Sequence, residues 1–111
     1  MRRPTVIAFF PPVTEEGLAK DPDTNEALAD FQVYAYRTRE RLKNSGVEFH
    51  EVYVHSFRIR QGRNLVTFRP NKVPVGYYFV APEKKPNVEY GVETDEDVVA
   101  NIQKYFGIAI K

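Results

Sequence analysis

The sequence predicts an α/β fold with a mixed central sheet, in which a βαβ unit is followed by a β-hairpin insertion and a ββα unit. Three observations predict this class. Apolar runs at 5–10 and 47–54 flank a helical pattern, alternating residues at 57–68 surround a glycine-containing loop, and an aromatic run at 75–81 precedes a capped helix. A length of 111 residues predicts a single domain spanning residues 1–111.

The first predicted strand, Thr5 to Phe10, is apolar along nearly its whole length. Pro11 and Pro12 end it, because neither ring nitrogen can donate a ladder hydrogen bond. A strand that is apolar on both faces is expected in the middle of a sheet covered on both sides.

A helix of about 20 residues follows the first strand. Asp23 is predicted to cap it, with Glu26 in the capping-box position. The helix is expected to end at Asn44-Ser45-Gly46, where glycine suits a left-handed cap. One stripe of the helix is predicted to be buried, and it consists of Leu28, Phe31, Ala35, Thr38 and Leu42.

The second predicted strand covers residues 47–54. Its apolar phase shifts between Phe49 and Val52, which predicts a bulge or a change of burial. Strand, helix and strand together imply a parallel pair with a right-handed crossover.

A hairpin is predicted from residues 57–60 and 65–68 around the loop 61–64. The segment 57–72 contains no acidic residue and is rich in basic ones, namely Arg58, Arg60, Arg63, Arg69 and Lys72. One interpretation is structural: the apolar residues Phe57, Ile59, Leu65 and Phe68 pack on the core and the arginines keep the outer face in water. The other is functional, since basic and aromatic residues together can bind single-stranded nucleic acid.

The last third of the chain predicts two antiparallel strands, at 75–81 and 87–92, and a final helix. Thr94 is expected to cap this helix, with Asp97 in the capping-box position. Gly107 ends it. Its predicted buried stripe consists of Val98, Ile102, Tyr105 and Phe106.

The composition excludes several classes of function. The chain has no cysteine, and thiol chemistry needs a thiolate. Its formal net charge of +1 gives no global attraction to nucleic acid or to anionic lipid. No apolar run is long enough to predict a membrane span. His50 and His55 are five residues apart in a strand pattern, so their rings are expected on opposite faces and we predict no metal site. A cytoplasmic location is the default, and an exported form with its signal removed stays open.

The order of elements, with Val73-Pro74 before the aromatic strand, resembles the thioredoxin-like superfamily. In that family a proline, usually cis, holds this position, and two layers cover a central mixed sheet in a three-layer sandwich. The family's paired cysteines follow the first strand, where this chain has Pro11-Pro12-Val13-Thr14. The resemblance therefore implies a redox-inactive member without thiol–disulfide activity.

The function predicted from this resemblance is non-catalytic binding of a protein or peptide. The contact residues are expected to be Val73 and Pro74 together with Pro11, Pro12, Val13 and Thr14, because main-chain strand addition survives the loss of the cysteines. Two alternatives stay open. One is a small nucleic-acid or anion-binding module that uses Arg58, Arg60, Arg63 and Arg69. The other is an enzyme that uses Tyr53, His55 and Arg58. No cofactor and no membrane insertion are expected, and self-association is left open.

Overall fold

The computed structural model describes residues 3–61, 63–70, 74–82 and 84–110. Its strands are β1 (Thr5–Phe10), β2 (Glu48–Tyr53), β3 (Phe57–Gln61), β4 (Asn64–Phe68), β5 (Gly76–Val80) and β6 (Asn87–Tyr90). Its helices are α1 (Asn25–Leu42) and α2 (Asp95–Phe106), and a 3-10 helix, Pro22–Thr24, precedes α1. Within these described residues, no helix combines the length and apolar character needed to cross a membrane.

Four strands form a mixed sheet in the order β2-β1-β5-β6. β1 and β2 are parallel and are joined through α1, whereas β5 runs antiparallel to both of its neighbours. β3 and β4 form a separate two-stranded antiparallel sheet. These observations confirm the α/β class, the parallel βαβ unit and the inserted hairpin that the sequence predicts.

The central sheet is covered on both faces, and β1 supplies alternate residues to each cover. Val6, Ala8 and Phe10 belong to the core cluster that contains residues of both helices. Ile7 and Phe9 belong to a second cluster, on which residues of the hairpin pack. All six residues of β1 are buried, which confirms its predicted place in the middle of a sheet.

The start of α1 differs from the prediction. The carboxylate of Asp21, not that of Asp23, acts as a cap: it accepts a hydrogen bond from the Asp23 main-chain N–H at 3.0 Å. That bond caps the short 3-10 helix, and α1 itself begins at Asn25 without a side-chain cap from Thr24. The predicted stripe is confirmed, because Leu28, Phe31, Ala35, Thr38 and Leu42 are all buried.

Of the two alternatives predicted for β2, the bulge is absent and a change of burial remains. Each residue from Glu48 to Tyr53 pairs in register with β1. Phe49 and Tyr53 pack towards the helices and Val52 packs towards the hairpin. The apparent phase shift arises because this strand, at the edge of the sheet, contributes apolar side chains to both covers.

The hairpin buries a smaller set of residues than the structural interpretation predicts. Phe57, Ile59 and Phe68 pack against the second cluster of the core. Leu65 does not, because it pairs with Arg60 and its side chain is 54% exposed. Its register places it on the outer face of the hairpin, where side chains contact solvent.

The C-terminal unit follows the predicted capping pattern. Thr94 and Asp97 form a capping box, and Gly107 has a φ of 70° at the end of α2. Gly76, the first residue of β5, is required by close packing of β6: a Cβ atom there would lie 2.3 Å from the Glu89 carbonyl oxygen.

Candidate functional site

Three separate chain segments meet at one edge of the central sheet. β1 and β2 are parallel, so both end at this edge, and β5 begins there because it is antiparallel to β1. Pro11 and Pro12 follow β1, His55 follows β2 and Pro74 precedes β5. Carboxyl ends of parallel strands are a common location for binding sites in α/β folds.

These segments line a cavity of about 290 Å³, which we call the proline cleft. The lining residues are Phe10, Pro11, Pro12, Ala19, Lys20, Asp21, Thr24, Ala27, His55, Pro74 and Val75. Most of them present carbon atoms to the cavity. The proline cleft therefore suits an apolar group better than a charged one.

The polar groups of Asp21 and Thr24 are used within the chain. The Asp21 carboxylate caps the 3-10 helix, and the Thr24 hydroxyl donates to the Asp21 carbonyl oxygen at 2.8 Å. Lys20 and His55 form no ion pair with any residue that the structure describes. Lys20 and His55 can therefore contact a polar group of a ligand in the proline cleft.

The loop between β1 and the 3-10 helix holds its shape through its own hydrogen bonds. The Thr14 main-chain N–H donates to the Leu18 carbonyl oxygen at 2.7 Å, and the Thr14 hydroxyl accepts from the Leu18 N–H at 3.2 Å. Ala19 donates its N–H to the Asn25 side chain at 2.8 Å. These bonds present Ala19 to the proline cleft and leave apolar Leu18 53% exposed beside it.

The structure brings together only part of the predicted contact set. Pro11, Pro12 and Pro74 line the proline cleft. Val13 and Thr14 do not line it, because Val13 packs against the core and Thr14 closes the loop. Val73 lies outside the described residues, and so does its peptide bond to Pro74.

The segment leading into α1 contributes to the proline cleft, which no sequence motif predicts. Ala19, Lys20, Thr24 and Ala27 line the proline cleft although none belongs to a motif. The one available signal was the βαβ connection itself, which returns the start of the crossover helix to the edge where β1 ends.

The residues of the proposed enzyme do not form one site. His55 lines the proline cleft, whereas Tyr53 and Arg58 do not. The Tyr53 hydroxyl donates to Glu51 and accepts from Gln32. Burial, followed by the hydrogen bond to Glu51, raises the pKa of Tyr53 to about 12, which makes its phenol harder to ionise than that of an ordinary tyrosine.

The arginines of the basic hairpin are exposed to solvent, whereas its aromatic rings pack on the central sheet. Arg58, Arg60, Arg63 and Arg69 are exposed. The Phe68 ring centroid lies 4.6 Å from that of Tyr78 and 5.2 Å from that of Phe9, and Phe57 also packs on Tyr78. The sheet therefore covers the inward faces of both phenylalanine rings, and the arginines are among the exposed side chains of the hairpin.

Comparison with known proteins identifies no relative of this chain. No protein-family model matches this chain, and no curated protein or solved structure shows significant similarity to it.

Proposed function

We propose that this chain is a cysteine-free thioredoxin-like domain that binds a protein segment by taking an apolar side chain into the proline cleft. The order βαβ then ββα around a mixed sheet, with Pro74 just before β5, supports the thioredoxin-like assignment. The absence of cysteine excludes thiol–disulfide exchange, which has no nucleophile here.

The observation that carries this proposal is the convergence of Pro11, Pro12, His55 and Pro74 on one apolar cavity. They come from three segments that are distant in the chain and meet only through the sheet. Proline rings and alanine methyl groups gain contacts when an apolar side chain replaces water in such a cavity.

The free energy needed for binding favours an extended segment as the ligand over a single small group. Burying one apolar side chain contributes about 1.5–3 kcal/mol, whereas micromolar affinity needs about 8 kcal/mol. The remainder must come from contacts around the cavity. Leu18 and Val54, which adjoin lining residues and are 53% and 37% exposed, supply apolar surface for these contacts.

The test is a selection of displayed peptides on the wild-type chain, followed by anisotropy titrations of the selected peptides. Ala27→Leu fills the proline cleft and should weaken binding at least tenfold. Ala29→Leu is the matched control, because Ala29 is exposed on the same helix and does not line the cavity. His55→Ala, which enlarges the opening, should change affinity while leaving α1 unaltered.

Failure of the selection to yield peptides with apolar anchors would contradict the proposal. Equal affinities for wild type and Ala27→Leu would contradict it as well. If Ala27→Leu and Ala29→Leu weaken peptide binding equally, the effect belongs to α1 as a whole and not to the proline cleft.

A further inference from the structure

The outer face of the β3–β4 hairpin is a second surface, separate from the proline cleft. Two cross-strand pairs, Arg58–Thr67 and Arg60–Leu65, form it, and all four side chains are exposed. Arg63 lies near the turn and Arg69 follows the last residue of β4. We call these six residues the arginine face.

The charge of the arginine face is not neutralised by any acidic residue that the structure describes. Its four arginines form no ion pair with any acidic residue that the structure describes, whereas Arg3, Arg39 and Arg41 each pair with a carboxylate. The whole chain has a formal net charge of only +1, so four arginines on one hairpin represent a strong local asymmetry. Such an asymmetry attracts an anionic partner to this surface.

The arginine face stands on a rigid support. Phe57 and Phe68 lie 5.2 Å apart, centroid to centroid, and both pack on Tyr78 of the central sheet. The Gln61 side chain donates to the carbonyl oxygens of Ala81 and Lys84 at 2.7 and 2.9 Å, which anchors the far end of β3. Arginines on an anchored strand lose less conformational freedom on binding than arginines on a loop.

We infer that the arginine face binds duplex DNA, with the two-stranded ribbon lying in the major groove. A major groove of about 12 Å admits a two-stranded β-ribbon, whose strands are about 4.8 Å apart. Arg58 and Arg60 then face the groove, where a guanidinium can bind guanine or phosphate in bidentate fashion. Arg63 and Arg69, at the two ends of the ribbon, reach the phosphates on either side.

The composition of the arginine face disfavours single strands as the partner. Single-strand binding relies on exposed aromatic rings, and the six residues of the arginine face include none. Guanidinium groups bind phosphates and carboxylates alike, so competition by an acidic polymer is made an outcome of the test. The Thr67 hydroxyl can bond a base-edge acceptor, and Leu65 can contact a thymine methyl group.

The test is fluorescence anisotropy with a labelled 20-base-pair DNA duplex at several salt concentrations. The slope of log K against log salt should be no steeper than about −3.6, which is the value expected when all four arginines neutralise phosphates. Arg58→Ala/Arg60→Ala should lower affinity at least tenfold at 50 mM salt. Arg63→Ala/Arg69→Ala, which alters no residue of the strands, should reduce the slope by about 1.8. The cleft variant Ala27→Leu should bind DNA as the wild type does, which separates this inference from the proposed function.

The matched control is Arg37→Ala/Lys104→Ala, which removes the same charge from two exposed helical positions without an ion pair among the described residues. It should keep at least half of the wild-type affinity. An RNA duplex of the same length should bind at least tenfold more weakly, because its major groove is too narrow for side chains to enter. No binding to DNA at 50 mM salt, equal binding of RNA duplex or single strands, or full competition by poly-glutamate at equal charge would each overturn the inference.

Discussion

The two layers that cover the central sheet use different amounts of apolar contact. In the helix layer, Phe31, Val98 and Ile102 are completely buried. On the hairpin face, Phe57 and Phe68 are only half-buried over Phe9 and Tyr78. We therefore expect the helix layer to supply more of the stability than the hairpin layer, whose outer face is polar and charged.

The largest effect is expected at the centre of the helix layer. Phe31 contacts the rings of Phe10, Tyr53 and Tyr77. Phe31→Ala should lower the free energy of unfolding by about 3–5 kcal/mol, because it removes a large side chain and leaves a cavity. Urea unfolding followed by circular dichroism measures this change. A loss below about 2 kcal/mol would show that the two layers are equally important.

A smaller and more local effect is expected in the hairpin layer. Phe68→Ala should lower the free energy of unfolding by about 2 kcal/mol, because the ring is only partly buried. Amide hydrogen exchange should accelerate in β3 and β4 while that of α1 stays unchanged. Uniform acceleration across both layers would contradict the separation between them.

The caps of the two helices allow a matched comparison within the helix layer. The Thr94 hydroxyl accepts from the Asp97 N–H at 3.2 Å, whereas the Thr24 side chain makes no cap bond to α1. Thr94→Ala should cost about 1 kcal/mol, and Thr24→Ala should cost less. Thermal unfolding of both variants checks the order, and the reverse order would contradict the assigned caps.

The smallest expected effect is a dependence of stability on alkaline pH. The pKa of Tyr53 rises to about 12 in the folded chain, through burial and then the hydrogen bond to Glu51, from an ordinary value of 10.0. The stabilising contribution of the protonated phenol is complete below pH 10 and is lost as the pH rises through about 12. Tyr53→Phe should therefore show a shallower fall of unfolding free energy between these values. Parallel curves for the variant and the wild type would contradict this linkage.

Periodicity was sufficient to predict the elements that bury one continuous stripe. The stripe of α1 and the capping box of α2 are local patterns, because each depends on residues within a few turns of one another. The phase shift between Phe49 and Val52 left a bulge and a change of burial as alternatives, and the bulge is absent because one regular strand packs on two layers. Neighbouring residues alone do not indicate that a strand lies at the edge of a sheet and packs against a layer on each face.

The candidate sites also combine features that local sequence predicts with features that depend on tertiary packing. The sequence by itself determined that the chain has no thiol chemistry, that prolines follow β1 and precede β5, and that arginines alternate along β3. Only the tertiary structure decided that Pro11, Pro12 and Pro74 share a cavity with Ala27, and that Phe57 and Phe68 turn away from the arginines. The reason is physical: composition and alternation are properties of neighbouring residues, whereas a cavity or an exposed face depends on how distant segments pack.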